Sequence, residues 1–244
     1  MFSAKHTTDQ NEHIVSLSYN PPPNADSVEH PPIDIHFVID VSYSMDDIIP
    51  DPTGEGNSLS ILDLVKHTVK SLVNSMSDND RVSIVKYSTA AQIVLSNVST
   101  SDLNKSDILQ KITELHTEGS TNIWDGLKTA LDINRSIAET SKGRNSTIML
   151  LTDGQSNICP PRGIPAMLEK YKEQYEITCN INTFGFGYNN DSKILTEISD
   201  YCNGIYGFIP DGTFVGTVFT NIMSNELCTQ TNDFTISLEM NSRF

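Results

Sequence analysis

Three short segments hold side chains whose types and spacing suit one kind of chemistry. Asp40-Val41-Ser42-Tyr43-Ser44 follows an apolar run, Gly119-Ser120-Thr121-Asn122 opens a helical pattern, and Thr152-Asp153-Gly154 follows a second apolar run. Asp40, Ser42, Ser44, Thr121 and Asp153 all carry hard oxygen donors, which suit Mg²⁺ or Mn²⁺ and do not suit zinc. The two carboxylates can only neutralise a divalent ion. If the hydroxyls bind it directly and a carboxylate binds through water, the ion stays electrophilic. It also keeps an open position for an incoming anionic oxygen. Such a site holds a partner's carboxylate and contains no catalytic base.

Two other readings compete with this one. Asp and Ser after a strand commonly start turns, so Asp40, Ser42 and Ser44 read alone as an ordinary polar cap. Having Thr121 and Asp153 in register favours the metal. The other competitor is an Mg²⁺-dependent α/β hydrolase or phosphatase using Asp40 as nucleophile or ligand. That chemistry needs a second carboxylate two residues on and a lysine for the transferred phosphoryl. Ser42 stands at the first position and no lysine lies near the motifs.

Other features call for bland readings. Asp125 reads as a solvated helix-start carboxylate favoured by the helix dipole, Trp124 as core packing, and His36 as a satisfied buried histidine. Gly185-Phe186-Gly187 lacks the third glycine of a dinucleotide fingerprint. Cys159, Cys179, Cys202 and Cys228 form no CxxC pair. They are expected to be reduced thiols, with Cys179 a small buried hydrophobe.

The elements that must position the site alternate. Ile33–Ile39, Arg81–Tyr87, Ala91–Leu95, Thr147–Thr152, Ile177–Phe186 and Gly204–Ile209 read as strands, the second and third joined as a hairpin. Leu59–Met76, Ser101–Leu115, Asn122–Ile137, Pro161–Tyr175, Asp191–Tyr201 and Thr213–Asn225 have helical spacing. This alternation predicts a three-layer, doubly wound α/β fold: a mostly parallel central sheet with helices on both faces. The strand ends then bring the three segments to one crevice.

Outside that body, Val15–Tyr19 and Phe234–Met240 alternate like half-buried strands, and both are expected to pair as a small β-annex. A proline-rich linker occupies Asn20–Pro32. The expected divisions are a flank and linker at 1–30, the α/β domain at 31–227 and a flanking strand at 228–244.

The chain has 244 residues with 31 Asp plus Glu against 16 Lys plus Arg, a net charge of −15. That balance argues against a phosphate-backbone partner and against docking on anionic lipid. No apolar run is long enough to span a membrane, and the first residues lack the apolar core of a secretory signal. A cytoplasmic location is the expectation.

Taken together, the three segments, in this order and each beside the right element, resemble the metal-ion-dependent adhesion site (MIDAS) of a von Willebrand factor type A domain. The resemblance covers roughly Ile33 to Leu227. It implies a mostly parallel sheet with one antiparallel edge strand, wrapped by about six helices. It further implies that Ser42, Ser44 and Thr121 supply hydroxyl ligands, and that Asp40 and Asp153 bind directly or through water. The function implied is non-enzymatic: a protein-interaction module that takes a partner's Asp or Glu on bound Mg²⁺ or Mn²⁺. One departure is Asp46–Asn57, longer than the family's usual tight turn; it either rims the metal or loops out.

Overall fold

The computed structural model describes residues 2–9, 12–19, 30–48, 59–211 and 214–228. The chain divides into two compact units between His30 and Pro31. The first contains an antiparallel hairpin of β1 (Phe2–Asp9) and β2 (Glu12–Tyr19). The expected strand Val15–Tyr19 thus lies within β2 and pairs with β1, whose residues show no strand-like alternation. Its expected partner, 234–240, lies outside the described residues, as do 49–57 of the long insertion.

The second unit holds a six-stranded sheet in the order β5-β4-β3-β6-β7-β8. The strands are β3 (Ile33–Asp40), β4 (Arg81–Tyr87), β5 (Ala91–Ser99), β6 (Asn145–Thr152), β7 (Asn180–Phe186) and β8 (Tyr206–Ile209). All pairings are parallel except β4–β5, which is antiparallel with two register shifts. The predicted architecture is the observed one.

Central β3 shows why the layers form. Ile33, Ile35, Phe37 and Ile39 are fully buried in one core, with α1 (Ile61–Ser75), α2 (Asp102–Thr113) and α6 (Val215–Cys228). Val38 belongs to the other core, with α3 (Ile123–Ser136), α4 (Gly163–Gln174) and α5 (Ser192–Tyr201). Strand side chains alternate between faces, so Asp34, His36 and Asp40 share the second face with Val38.

Asp34 meets the burial of its charge with four bonds. It accepts from Arg81 Nε (2.8 Å) and a second Arg81 nitrogen (2.7 Å), from Arg144 Nε (2.7 Å) and from Ser141 Oγ (2.6 Å). Burial pushes its carboxyl up, but these partners hold it below the ordinary value. His36 is buried as expected but only partly satisfied: Nε2 has Ser146 Oγ at 3.5 Å, while Nδ1 has no hydrogen-bond partner among the described residues. Burial lowers its pKa to about 4, against the pull of Asp34.

Several boundaries shift by a few residues. β7 begins at Asn180, because Ile177 packs partly buried against the core without joining the ladder. No helix among the described residues is long and apolar enough to cross a membrane.

Candidate metal centre

β4 lies on one side of β3, and β6 returns to the other. The carboxyl ends of β3 and β6 are therefore the topological switch point of the sheet, where open α/β sheets form a crevice. Asp40 ends β3, and Asp153 follows the last residue of β6.

The local fold of the first segment follows from Asp40. Its Oδ1 accepts the Ser42 N–H at 2.8 Å, a side-chain-closed turn that starts the short 3₁₀ helix Tyr43–Asp46. The turn reading and the metal reading therefore describe the same residue. Oδ2 accepts from Thr152 Oγ1 at 2.6 Å and from Tyr87 Oη at 3.3 Å. Burial raises the Asp40 pKa, with these hydroxyls and the Ser42 N–H opposing it. Asp40 is fully buried and held from two neighbouring strands.

From there the hydroxyls run outward. Ser42 Oγ lies 3.2 Å from Ser44 Oγ, which donates to Asp153 Oδ1 at 2.9 Å. Burial, then the charge of Asp40, pushes the Asp153 pKa up to about 6. Thr121 enters from a third loop. Its carbonyl accepts the N–H groups of Asn157 (2.9 Å) and Ile158 (3.1 Å), and its own N–H donates to Asn157 Oδ1 at 3.3 Å. Gly119 makes this loop possible: its φ is +67°, and a Cβ there would sit 2.7 Å from Thr89 Oγ1. Ser44, Thr121 and Asp153 line one cavity of about 310 Å³, with no Lys, Arg or His among the described residues of its wall.

Three of the five candidate donors are spaced as a small hard cation requires. Neighbouring oxygens around an octahedral ion at about 2.0–2.1 Å stand about 2.9 Å apart. The Ser44–Asp153 and Ser42–Ser44 separations, 2.9 and 3.2 Å, are close to that spacing. Among the described residues, no three His, Cys, Asp or Glu side chains gather to hold a metal. The set reaches five donors only because three are hydroxyls.

Asp125 does not join them. Its Oδ2 accepts the Ala91 N–H at 2.7 Å, so it anchors the start of β5 and is not the solvated carboxylate expected. Trp124 is partly buried against the second core, as expected. Thr152 was given no role within its segment, and Tyr87, which also fixes Asp40, was not singled out in the sequence. Their only signal there is position, each being the last residue of a strand beside β3.

These features coincide with a family. The chain belongs to the von Willebrand factor type A domain family, which it matches over residues 34–220. Domains of this family generally serve as non-enzymatic protein-interaction modules, and they often bind a divalent metal. The chain is 30% identical over 220 residues to the uncharacterized protein YfbK of Escherichia coli K12; the match covers 88% of this chain and 35% of that one. It thus spans about a third of that relative's length. Among solved structures, the von Willebrand factor type A protein from Catenulispora acidiphila aligns at a TM-score of 0.68 and 18% identity, over 93% of this chain and 50% of the other. Proximal thread matrix protein 1 of the mussel byssus, described with a zinc-occupied MIDAS motif, aligns at 0.58 and 20% identity, over 80% and 46%. At these identities both likenesses speak for the fold.

Proposed function

We propose that this domain is a metal-dependent protein-interaction module. In this reading Asp40, Ser42, Ser44, Thr121 and Asp153 hold one divalent cation, and the ion takes a carboxylate from a partner's Asp or Glu. The observation that carries it is the Ser44 Oγ–Asp153 Oδ1 bond at 2.9 Å, which brings the loops after β3 and β6 to one point. Bound there, the metal supplies a Lewis-acidic position for an anionic oxygen. Around it Thr152 and Tyr87 hold Asp40 in place, Ser44 orients Asp153, and Asn157 sets the Thr121 loop.

The hydrolase reading loses support from the same geometry. A nucleophilic Asp40 must itself reach a substrate, yet it is fully buried with both oxygens engaged; the metal reading asks of it only a bond through water. Among the described residues no cationic side chain lines the cavity to stabilise a transferred phosphoryl group.

Mg²⁺ or Mn²⁺ suits five hard oxygens best. The zinc in the mussel protein's structure makes zinc the comparison ion to test. Calorimetry with Mn²⁺, Mg²⁺ and Zn²⁺ on the wild type and Ser42→Ala is the test. Loss of Mn²⁺ binding in the variant, with the fold intact, is expected. Equal affinity in both proteins overturns the site.

A further inference from the structure

The exposed apolar side chains of this domain are not scattered. Among the described residues ten large hydrophobics are exposed: Tyr43, Ile48, Leu59, Ile93, Leu103, Ile158, Tyr188, Ile205, Phe208 and Phe214. Tyr43, Ile48 and Leu59 lie between β3 and α1, Ile158 between β6 and α4, and Tyr188 between β7 and α5. Phe208 is the penultimate residue of β8, and Phe214 immediately precedes α6. Seven of the ten therefore sit at the carboxyl edge of the sheet, the edge that holds the candidate metal centre. Single exposed apolar residues need no explanation, but a concentration on one edge marks an interaction surface.

One part of this rim is built as a subsite. The 310 Å³ cavity that Ser44, Thr121 and Asp153 line has mostly polar residues in its wall, and its large apolar residues are Ile61 and Phe186, both buried, and Tyr188. Tyr188 is 82% exposed, and its ring is braced edge-on by Phe208 at 5.5 Å and 67°. The volume lies at the small end for ligand pockets, enough for one side-chain-sized group. Asp47 on its wall, the lack of any cation there and the net charge of −15 disfavour an anion anywhere but on the metal.

We infer that the partner is a protein segment whose metal-binding Asp or Glu is flanked by an aromatic or large aliphatic side chain, and that this side chain enters the cavity between Ile61, Phe186 and Tyr188. The inference rests on the metal-dependent reading above. It adds the chemistry that selects one carboxylate over another: the metal is indifferent to what the carboxylate is attached to, while the cavity is not.

Three small carboxylates separate the possibilities on the full chain: acetate, 3-phenylpropionate and 4-guanidinobutyrate. Each is titrated at fixed Mn²⁺, and free Mn²⁺ is read by electron paramagnetic resonance. 3-Phenylpropionate should bind at least tenfold tighter than acetate, as burial of a ring predicts. Tyr188→Ser, a change at an exposed position, should erase that preference while Mn²⁺ and acetate binding stay as in the wild type. Equal binding of acetate and 3-phenylpropionate overturns the inference and leaves the metal site standing. Tighter binding of 4-guanidinobutyrate overturns it in favour of a cation on Asp47. Sedimentation showing dimers of the wild type but not of Tyr188→Ser overturns it in favour of a second copy of the chain. If the wild type binds no Mn²⁺, the metal reading and this inference fall together.

Discussion

Thr152 Oγ1 donates to Asp40 Oδ2 across 2.6 Å, joining the last residue of β6 to the last residue of β3. The bond fixes the orientation of the deepest carboxylate in the candidate centre. Thr152→Val keeps the shape and removes the donor, leaving Oδ2 with Tyr87 at 3.3 Å. Stability should fall by about 1–3 kcal/mol, the cost of an under-satisfied buried acceptor. Mn²⁺ affinity should fall as well. Urea unfolding and calorimetry measure the two effects separately, and an unchanged midpoint would sink the assigned role.

Asp153 sits near Asp40 with no cation in the cavity wall to balance the pair. Asp153→Asn keeps an acceptor for Ser44 and removes one charge. In EDTA at neutral pH the variant should melt above the wild type, each kcal/mol of relief appearing as about 2–4 °C. Adding Mn²⁺ should raise the wild-type melting temperature through ligand linkage and leave the variant nearly unmoved. Equal Mn²⁺ responses would remove Asp153 from the ligand set.

His36 should give the domain a pH-dependent stability. Asp34 pulls its pKa up and Arg81 pushes it down, but burial dominates and sets it at about 4, below the ordinary 6.5. The unfolded chain therefore takes up a proton at a higher pH than the folded one. The His36 contribution is intact above pH 6.5 and declines as pH falls toward 4, by up to about 3 kcal/mol in all. Asp34 adds a separate loss at lower pH, since its pKa is below 3.8. The raised carboxyls of Asp40, Asp153 and Glu226 act in the opposite sense over the same range. The comparison is therefore made at each pH: the stability of the wild type relative to His36→Leu should fall between pH 7 and 4.

Gly126 lets α3 pack against the ring of Tyr87. A Cβ there would fall 2.7 Å from Tyr87 Cγ and Cδ1, and Tyr87 is fully buried with no room to yield. Gly126→Ala should destabilise by about 1–3 kcal/mol through overpacking, even though alanine favours a helix. Denaturant unfolding checks this, and a gain in stability would contradict the packing described.

Much of this was legible in the residues. Ile33–Ile39 is a nearly continuous apolar run, as a strand buried on both faces must be, and β3 extends it only by Asp40. Helices α1 and α3 announced themselves by period. The five candidate donors could be found because each stands beside an element whose pattern is strong. What stayed hidden depended on distance or weak contrast. Asp125 meets Ala91 across 34 residues and Thr152 meets Asp40 across 112, and no local pattern encodes either pairing. β1 (FSAKHTTD) offers too little apolar contrast to register as a strand. The unpartnered nitrogen of His36 is a property of its packed surroundings, invisible to spacing.

The margins of the sheet limit how anything can attach to it. Among the described residues β5 forms one margin and β8 the other. β5 meets β4 through two register shifts, and Asn97 within it takes a φ of +53°. β8 is four residues long. Irregular and very short margins resist strand-on-strand addition. A visiting chain therefore finds little backbone to zip onto, and main-chain augmentation, which reads sequence only through alternate side chains, gains little here. In the function proposed above, recognition falls to the loop side chains at the sheet's carboxyl edge. Loop side chains can change without disturbing the ladder beneath, so partner choice and scaffold stability rest on different residues.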